Sequence, residues 1–307
     1  MSHEQTNHQG TWAMNRLRLL LIVCCMAFCA VARADTLLVV IPEPSSLTEE
    51  FVERLREQRR YDDVLVHSLA SSGSAPDASR LITMGSRSLQ WRLNQKLDTP
   101  TIGTYISRSS LSDLGISSPA KSVQILLANP APSRQLRLAQ LLIPRIENIG
   151  ALFTPQHQAQ LAEWEQSATT LGLNLVSMPL NTQAQLGRQM IDLLDRSDVL
   201  VALDDPNIYN ADNLKTILLS SYTRNKVLIG PSAPFINAGS LSTTYSTPEQ
   251  MAQSVDDLLD APWRGGVISY PRYFSVLSNA QVARSLGFPP PDDDALSSQL
   301  RQQEVGQ

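Results

Sequence analysis

The chain is poor in the residues that most often carry chemistry. Its 307 residues include three cysteines, Cys24, Cys25 and Cys29, all within the first 34 positions. Beyond residue 34 the sequence therefore has no disulfide, no thiolate nucleophile and no cysteine metal ligand. A domain of that length buries enough core to dispense with disulfides. Only His67 and His157 follow residue 34. They lack the spacing of a metal site, and neither sits in a motif that would support a Ser-His-Asp arrangement. Lysine and arginine never cluster, and the net charge is −4. That excludes a basic footprint for nucleic acid or an anionic membrane surface. No G-x-G-x-x-G is present, and no lysine follows Gly85-Ser86 as a P-loop would require. Gly230-Pro231-Ser232-Ala233-Pro234 lacks the second glycine of a nucleophile elbow.

What is present begins with an export pattern. Arg16 and Arg18 precede an apolar run from Leu19 to Val31, and Ala32-Arg33-Ala34 has the small-x-small form of a cleavage site. The run is short for a membrane span of ~20 residues. Residues 1–34 thus read as a signal peptide, with a periplasmic chain starting near Asp35. Met14, just before the basic pair, is an alternative start. Val23, Cys24 and Phe28 stand where a lipoprotein signal needs a small residue, which argues against lipidation. Loss of Arg16, Arg18, Arg33 and Glu4 leaves a net charge of −6.

After the signal, short apolar runs alternate with amphipathic stretches. Leu37-Leu38-Val39-Val40-Ile41, Val64-Leu65-Val66, Leu81-Ile82-Thr83-Met84, residues 100–106 and 123–127 read as strands, with helices over 46–59 and after Gly85. The rhythm continues with strands at 149–153 and 173–176 and helices at 156–172 and 183–196. This pattern predicts parallel α/β sheets with right-handed crossovers. The Ser-rich segment 108–122 reads as a crossover between two lobes. The predicted first lobe takes 35–118 plus 247–264, and the second takes 119–246 plus 265–289. Residues 267–277 read as one half-exposed strand. Ser246-Thr247-Pro248-Glu249 predicts a capped helix start. Residues 290–307 read as a flexible tail.

The stretch 198–247 is the most informative. A buried strand, 199–203, ends in Asp204-Asp205-Pro206-Asn207; a helix follows, then a strand at 227–229 and another through Leu241, Thr243 and Tyr245. Open α/β sheets bind ligands at the carboxyl ends of their strands. Asp204, Asp205 and Asn207 are candidate ligand contacts, with one of them serving as a helix cap. Adjacent aspartates at a strand end point opposite ways, so they make a poor catalytic pair. Gly85 and Ser86 open a helix at a strand end, where an anion is favoured; a turn glycine and Ser N-cap is the plainer reading. Ser232, Phe235 and Tyr245 complete the candidate lining.

These residues resemble a known family, the ABC-transporter substrate-binding proteins of the group with tryptophan- and tyrosine-binding members. The resemblance spans roughly 36–290. Leu81-Ile82-Thr83-Met84-Gly85-Ser86 is similar to the family's strand–Gly–Thr/Ser turn. Asn129-Pro130-Ala131-Pro132-Ser133 is similar to the segment entering the second lobe. Leu203-Asp204-Asp205-Pro206-Asn207 resembles its ligand-facing turn, and Ala238-Gly239-Ser240-Leu241 an Ala-Gly-x-Leu signature. Ala128-Asn129-Pro130 stands where the family has Thr-Gly. The resemblance implies a type I periplasmic binding protein: two Rossmann-like lobes with parallel sheets, joined by three crossovers, around a small amino-acid-like or organic-acid ligand. Ser86 would meet a ligand carboxylate and Asp205 a ligand amine. It also implies a monomer with an ABC permease as partner, no cofactor, no metal and no catalysis. A sensor that reports to a membrane receptor or histidine kinase is the alternative, and a periplasmic enzyme using carboxylates a second one.

Overall fold

The computed structural model describes residues 35–305. The export signal, its cleavage site and the Met14 start lie outside the described residues. Strand β1 (Thr36–Ile41) opens the first sheet. Helix α1 (Ser46–Gln58), β2 (Asp63–Ser68), β3 (Arg80–Met84), α2 (Gly85–Asn94), β4 (Thr101–Ile106), α3 (Arg108–Asp113) and β5 (Val123–Leu127) follow. The apolar run of β1 is continuous because both its faces are covered. Leu37, Val39 and Ile41 pack on Phe51, Val52 and Leu55 of α1. Leu38 and Val40 pack on Leu81 and Trp91 on the other side. That alternation is the two-residue period of a strand.

The chain then builds a second sheet. Helix α4 (Pro132–Leu142), β6 (Asn148–Phe153), a 3-10 segment (Pro155–Gln160), α5 (Leu161–Thr170), β7 (Asn174–Pro179), α6 (Leu186–Asp195) and β8 (Val199–Val201) come first. Next are α7 (Ala211–Tyr222), β9 (Leu228–Ile229), α8 (Pro234–Ala238) and β10 (Ser242–Tyr245). The chain returns to the first lobe for α9 (Pro248–Asp260) and β11 (Ile268–Ser269), then crosses again to β12 (Ser275–Ser278), α10 (Ala280–Ser285) and α11 (Asp293–Val305). The two six-stranded sheets run β11-β5-β4-β3-β1-β2 and β12-β10-β9-β8-β6-β7. Among the assigned pairings every one is parallel except β10 with β12.

Several sequence expectations change. Residues 108–122 do not cross between lobes; they form α3 and a loop that returns to β5 beside β4. The segment 119–127, and β11 from the segment 265–289, therefore belong to the first sheet. The buried apolar face of β5, with Val123, Ile125 and Leu127, packs there on Leu89 of α2 and Leu111 of α3. Residues 267–277 are two short strands in different sheets, not one. Pro271 lies between them, and its missing N–H and fixed φ suit a break in pairing. The crossovers accordingly fall at 128–131, 246–247 and 270–274. The cap of α9 is Thr247: its Oγ1 accepts the Gln250 N–H at 3.2 Å, while Gln250 Oε1 accepts the Thr247 N–H at 3.0 Å. Pro248 takes the first helical position, so the cap falls on the residue before it.

The expected tail is helix α11, and it is anchored. Leu300 is fully buried and Leu296 nearly so. The helix lies along the outer edge of β12, where the Ser297 hydroxyl accepts the Val276 N–H at 2.8 Å and the Asp293 carboxylate accepts the Ser278 N–H at 3.0 Å. Arg301 donates to the Phe274 carbonyl at 3.1 Å. The polar sequence of α11 hides only a narrow apolar stripe, and its anchoring comes from these strand-edge bonds.

Two polar side chains at the start of α4 hold the crossovers. Arg134, 5% exposed, lies 3.7 Å over the Phe274 ring, donates to the Pro271 carbonyl at 3.2 Å and pairs with Glu304 at 2.7 Å. Gln135 uses both ends of its amide. Its Nε2 donates to the Gly230 carbonyl (2.8 Å) and Thr243 Oγ1 (3.0 Å), and its Oε1 accepts the Thr244 N–H (3.0 Å) and hydroxyl (3.1 Å). At the far end of this sheet Asp198 accepts the N–H groups of Glu147 (2.9 Å) and Asn148 (2.8 Å). Burial opposes that charge, but the two amides and Lys226 outweigh it and hold the carboxyl below its ordinary value.

Leu300→Ala should cost about 2–5 kcal/mol in urea unfolding, the range for a buried leucine. The exposed Gln302→Ala on the same helix should stay within about 0.5 kcal/mol of the parent. Asp198→Asn should be less stable than the parent at pH 7. Because the folded carboxyl binds its proton less readily than the unfolded one, the Asp198 contribution is complete above the unfolded value of about 4. It is lost as the pH falls through the lower folded value, so parent and variant should converge in acid.

Candidate functional site

Carboxyl ends of strands from both sheets face one another along the seam between the lobes. On the first lobe, the register of β4 against β5 shifts between Gly103 and Ile106. Within that irregularity Tyr105 adopts φ 56°, the left-handed region that costs a bulky residue strain. A bulge of this kind re-aims the chain. Here the bulge turns the chain into Ser107, whose hydroxyl caps α3 by accepting the Ser110 N–H at 3.0 Å. Arg108 and Ser109 are thereby delivered to the seam. The Tyr105 ring sits edge-on to Phe51 at 5.5 Å, and its hydroxyl has no hydrogen-bond partner among the described residues. Burial, with Glu50 nearby, pushes that hydroxyl well above its ordinary pKa.

The second lobe supplies the opposing groups. Asp204 Oδ2 accepts the Ser109 N–H at 2.6 Å, across the seam. Glu163 of α5 accepts from Arg108 Nη2 at 2.7 Å, also across the seam. Tyr270, just after β11, donates its hydroxyl to the same Glu163 oxygen at 2.8 Å and lies 3.2 Å from Arg108 Nη2. Burial, then the Glu163 charge, raises the Tyr270 hydroxyl far above its ordinary value. Burial works against the Arg108 charge, but Tyr270 and Glu163 together hold the guanidinium above its usual range. Asn129, at the first crossover, accepts the Arg108 backbone N–H at 2.6 Å.

Two cavities flank this bridge. An inner one of about 20 Å³, room for a single water, lies among Asn129, Gln135, Trp164, Asp204, Pro231 and Tyr270. An outer groove of about 500 Å³ runs between residues 108–117 of the first lobe and 156–166 of the second. Arg108, Gln160 and Glu163 border both. The groove is in the size range of small-molecule sites. Leu111, Ile116 and Ile268 give it apolar walls, and Gln156, Gln160 and Ser112 give it neutral polar ones.

The sequence-chosen residues divide. Asp204 reaches the seam. Asp205 does not: it is 1% exposed and ties the end of β8 to the end of β6. Its Oδ2 accepts the Thr154 N–H (2.6 Å) and hydroxyl (2.7 Å), its Oδ1 accepts the Asn207 N–H (3.1 Å), and His157 Nε2 lies 3.9 Å away. Asp205 is the structural member of the pair, and the ligand-amine role expected of it is corrected accordingly. Asn207 is exposed, with its amide on Gln156 at 3.3 Å. Gly85 (φ 79°) begins α2, and Ser86 is its second residue; the N-cap is Met84, without a side-chain bond. Both are half-buried at the end of β3 and line neither seam cavity. The Ser232 carbonyl accepts the Phe235 N–H at 3.1 Å, and Phe235 packs against the second lobe's own core. Tyr245 is half-buried at the end of β10, opposite Ser275.

Arg108, Glu163, Tyr270, Asn129 and Gln160 were not legible as a set. They come from four separate segments, Gln160 and Glu163 sharing one, and Arg108 sits in a serine-rich run that reads as linker. Among the described residues no group of three or more His, Cys, Asp or Glu could hold a metal. No described helix is long and apolar enough to cross a membrane.

Asp205→Asn would set an NH2 against either the Thr154 or the Asn207 N–H, because both carboxylate oxygens accept backbone amides, and would leave one of them unpaired. The variant should lose about 1–3 kcal/mol in urea unfolding, whereas Asp204→Asn, at a half-exposed position, should lose less.

No protein-family model matches the sequence, and no curated protein matches it. Solved structures do. A ligand-free, open substrate-binding protein with adhesive properties from Clostridium difficile is similar with a TM-score of 0.63 at 13% identity, over 84% of this chain and 97% of that one. A conserved domain protein from Vibrio cholerae gives 0.52 at 15%, over 87% and 98%. An ABC domain from Streptococcus pneumonia, in complex with L-Trp, gives 0.51 at 15%, over 84% and 96%. With two six-stranded α/β sheets joined by three crossovers, the chain has the fold of the type I periplasmic binding proteins.

Proposed function

We propose that this chain is a periplasmic solute-binding protein of an ABC-type uptake system. It clamps a small amino-acid-like or organic-acid ligand between its lobes and presents the closed form to a permease. The observation that carries the reading is the seam itself. Donors of one lobe, Arg108 and Ser109, face carboxylates of the other, Asp204 beyond the carboxyl end of β8 and Glu163 on α5. The fold adds support, since structures that share it include a substrate-binding protein and a domain holding L-Trp. In the opened form Asp204 and Arg108 contact the ligand, and Gly85, Ser86 and Ser232 at the ends of β3 and β9 complete the walls. The chain acts as a monomer after export and performs no chemistry: Asp205 and His157 are buried in a structural knot.

The test is a thermal-shift screen of the exported, purified protein against the common amino acids and small organic acids. A ligand at about 100 times its Kd stabilises the folded state by about 2.7 kcal/mol. For a chain of this size that raises Tm by about 5 °C or more, and Asp204→Ala should weaken the response at least about tenfold in ligand concentration. A flat screen, together with tight binding of the ligand-free chain to a membrane sensor's periplasmic domain, would replace uptake with sensing.

A further inference from the structure

The last helix reaches the connections between the lobes. Its first turns are fixed to the second lobe, where Asp293 and Ser297 accept the Ser278 and Val276 N–H groups of β12, and Leu300 is fully buried. Its last turns lie over the third crossover. Arg301 donates to the Phe274 carbonyl at 3.1 Å. Glu304 takes Arg134 with both oxygens, Oε1 accepting from Nε at 2.7 Å and Oε2 from Nη2 at 3.0 Å. A bidentate pair of this kind fixes direction as well as charge. Arg134 in turn pins the crossover, through the Pro271 carbonyl and the Phe274 ring. Its side chain is buried while Glu304 is 31% exposed, so the helix brings the counter-charge from outside. Without that carboxylate the guanidinium would be left buried and uncompensated. The second crossover is tied in as well, since the Ser246 hydroxyl donates to the Tyr273 carbonyl at 2.7 Å. Pins at Pro271 and Phe274 leave Arg272 and Tyr273 between them to take up a turn of the lobes, and a hinge is a few such positions.

We propose that α11 is a hinge strap. Anchored on β12 and tied to the third crossover through Arg301 and the Glu304–Arg134 pair, it restrains the rotation of one lobe against the other. The proposal rests on the reading that the lobes turn about the crossovers to clamp a solute, and it adds a control on that turn. The strap stands apart from the seam and touches no residue assigned to the ligand. A restrained hinge has fewer arrangements to lose when a solute draws the lobes together, so the strap lowers the ordering cost of binding.

The absence of cysteine after residue 34 allows a direct test. Ser112→Cys and Gln166→Cys place one spin label on each side of the outer groove, at exposed positions of different lobes. Gln166→Cys with Thr216→Cys labels two exposed helix positions within the second lobe, as the control pair. Distances are read by electron paramagnetic resonance on the exported protein without added ligand. Glu304→Gln, and independently Arg301→Met, should widen the cross-lobe distance distribution and leave the control distribution unchanged. Circular dichroism checks that each variant folds, and because the two break different contacts, either one that folds makes the test. Cross-lobe distributions that superimpose on the parent's would overturn the strap. Equal widening of both pairs, or loss of folding in both variants, would overturn it too, by making α11 a support of the second lobe and nothing more. No ligand enters the measurement. A strap that fails here leaves solute binding standing, and a flat ligand screen leaves the distances to be judged alone.

Discussion

Three chain crossovers meet at the first turn of one helix. The first crossover runs directly into α4. Two residues later Arg134 holds the third, through the Pro271 carbonyl and the Phe274 ring. Its neighbour Gln135 holds β10, the strand that leads into the second. A cation in such a place must find partners for its donors, and an amide must satisfy both ends, or burial would cost more than packing returns. The sequence meets both demands within two consecutive positions. Everything that can move about the crossovers is therefore referred to a fixed point in the second lobe.

The seam answers to the same logic with different consequences. Asp204 and Asp205 are neighbours in sequence and opposite in role, because successive residues at a strand end face opposite ways. Asp205 turns inward and replaces, for Thr154, the partners that the end of β6 lacks. Asp204 turns outward and becomes available to the other lobe. One carboxylate makes the second lobe rigid at its strand ends; the other makes it reactive to what lies opposite. A pair of aspartates that looks like redundancy is a division between support and contact.

The α/β rhythm was legible because buried parallel strands leave unbroken apolar runs, and Leu37 to Ile41 and Val199 to Val201 are such runs. The errors share a cause. Arg108 lies in a serine-rich stretch, and only the register shift at β4 and the left-handed Tyr105 turn it toward the seam. Composition reports the serines and not the turn. The helix α11 looked like a frayed tail because its apolar stripe is narrow; what holds it is a set of bonds to N–H groups of a distant strand. Glu163 is one of two glutamates on α5, and its partner lies 55 positions away. Local pattern reaches the elements, whereas pairings between elements are set by the packed whole.

The edge of the second sheet has a further meaning. A free strand edge invites another chain to continue the sheet. At β12 the outward N–H groups of Val276 and Ser278 are taken by Ser297 and Asp293, side chains of a helix rather than another strand. On the first sheet, Arg56 covers the outward carbonyl of Val64 on edge strand β2. An incoming strand finds its first hydrogen bonds already spent at both places, and at β12 it would have to peel away α11 before pairing could begin. The last helix is thus a guard against polymerisation, drawn from a stretch of sequence that reads as expendable.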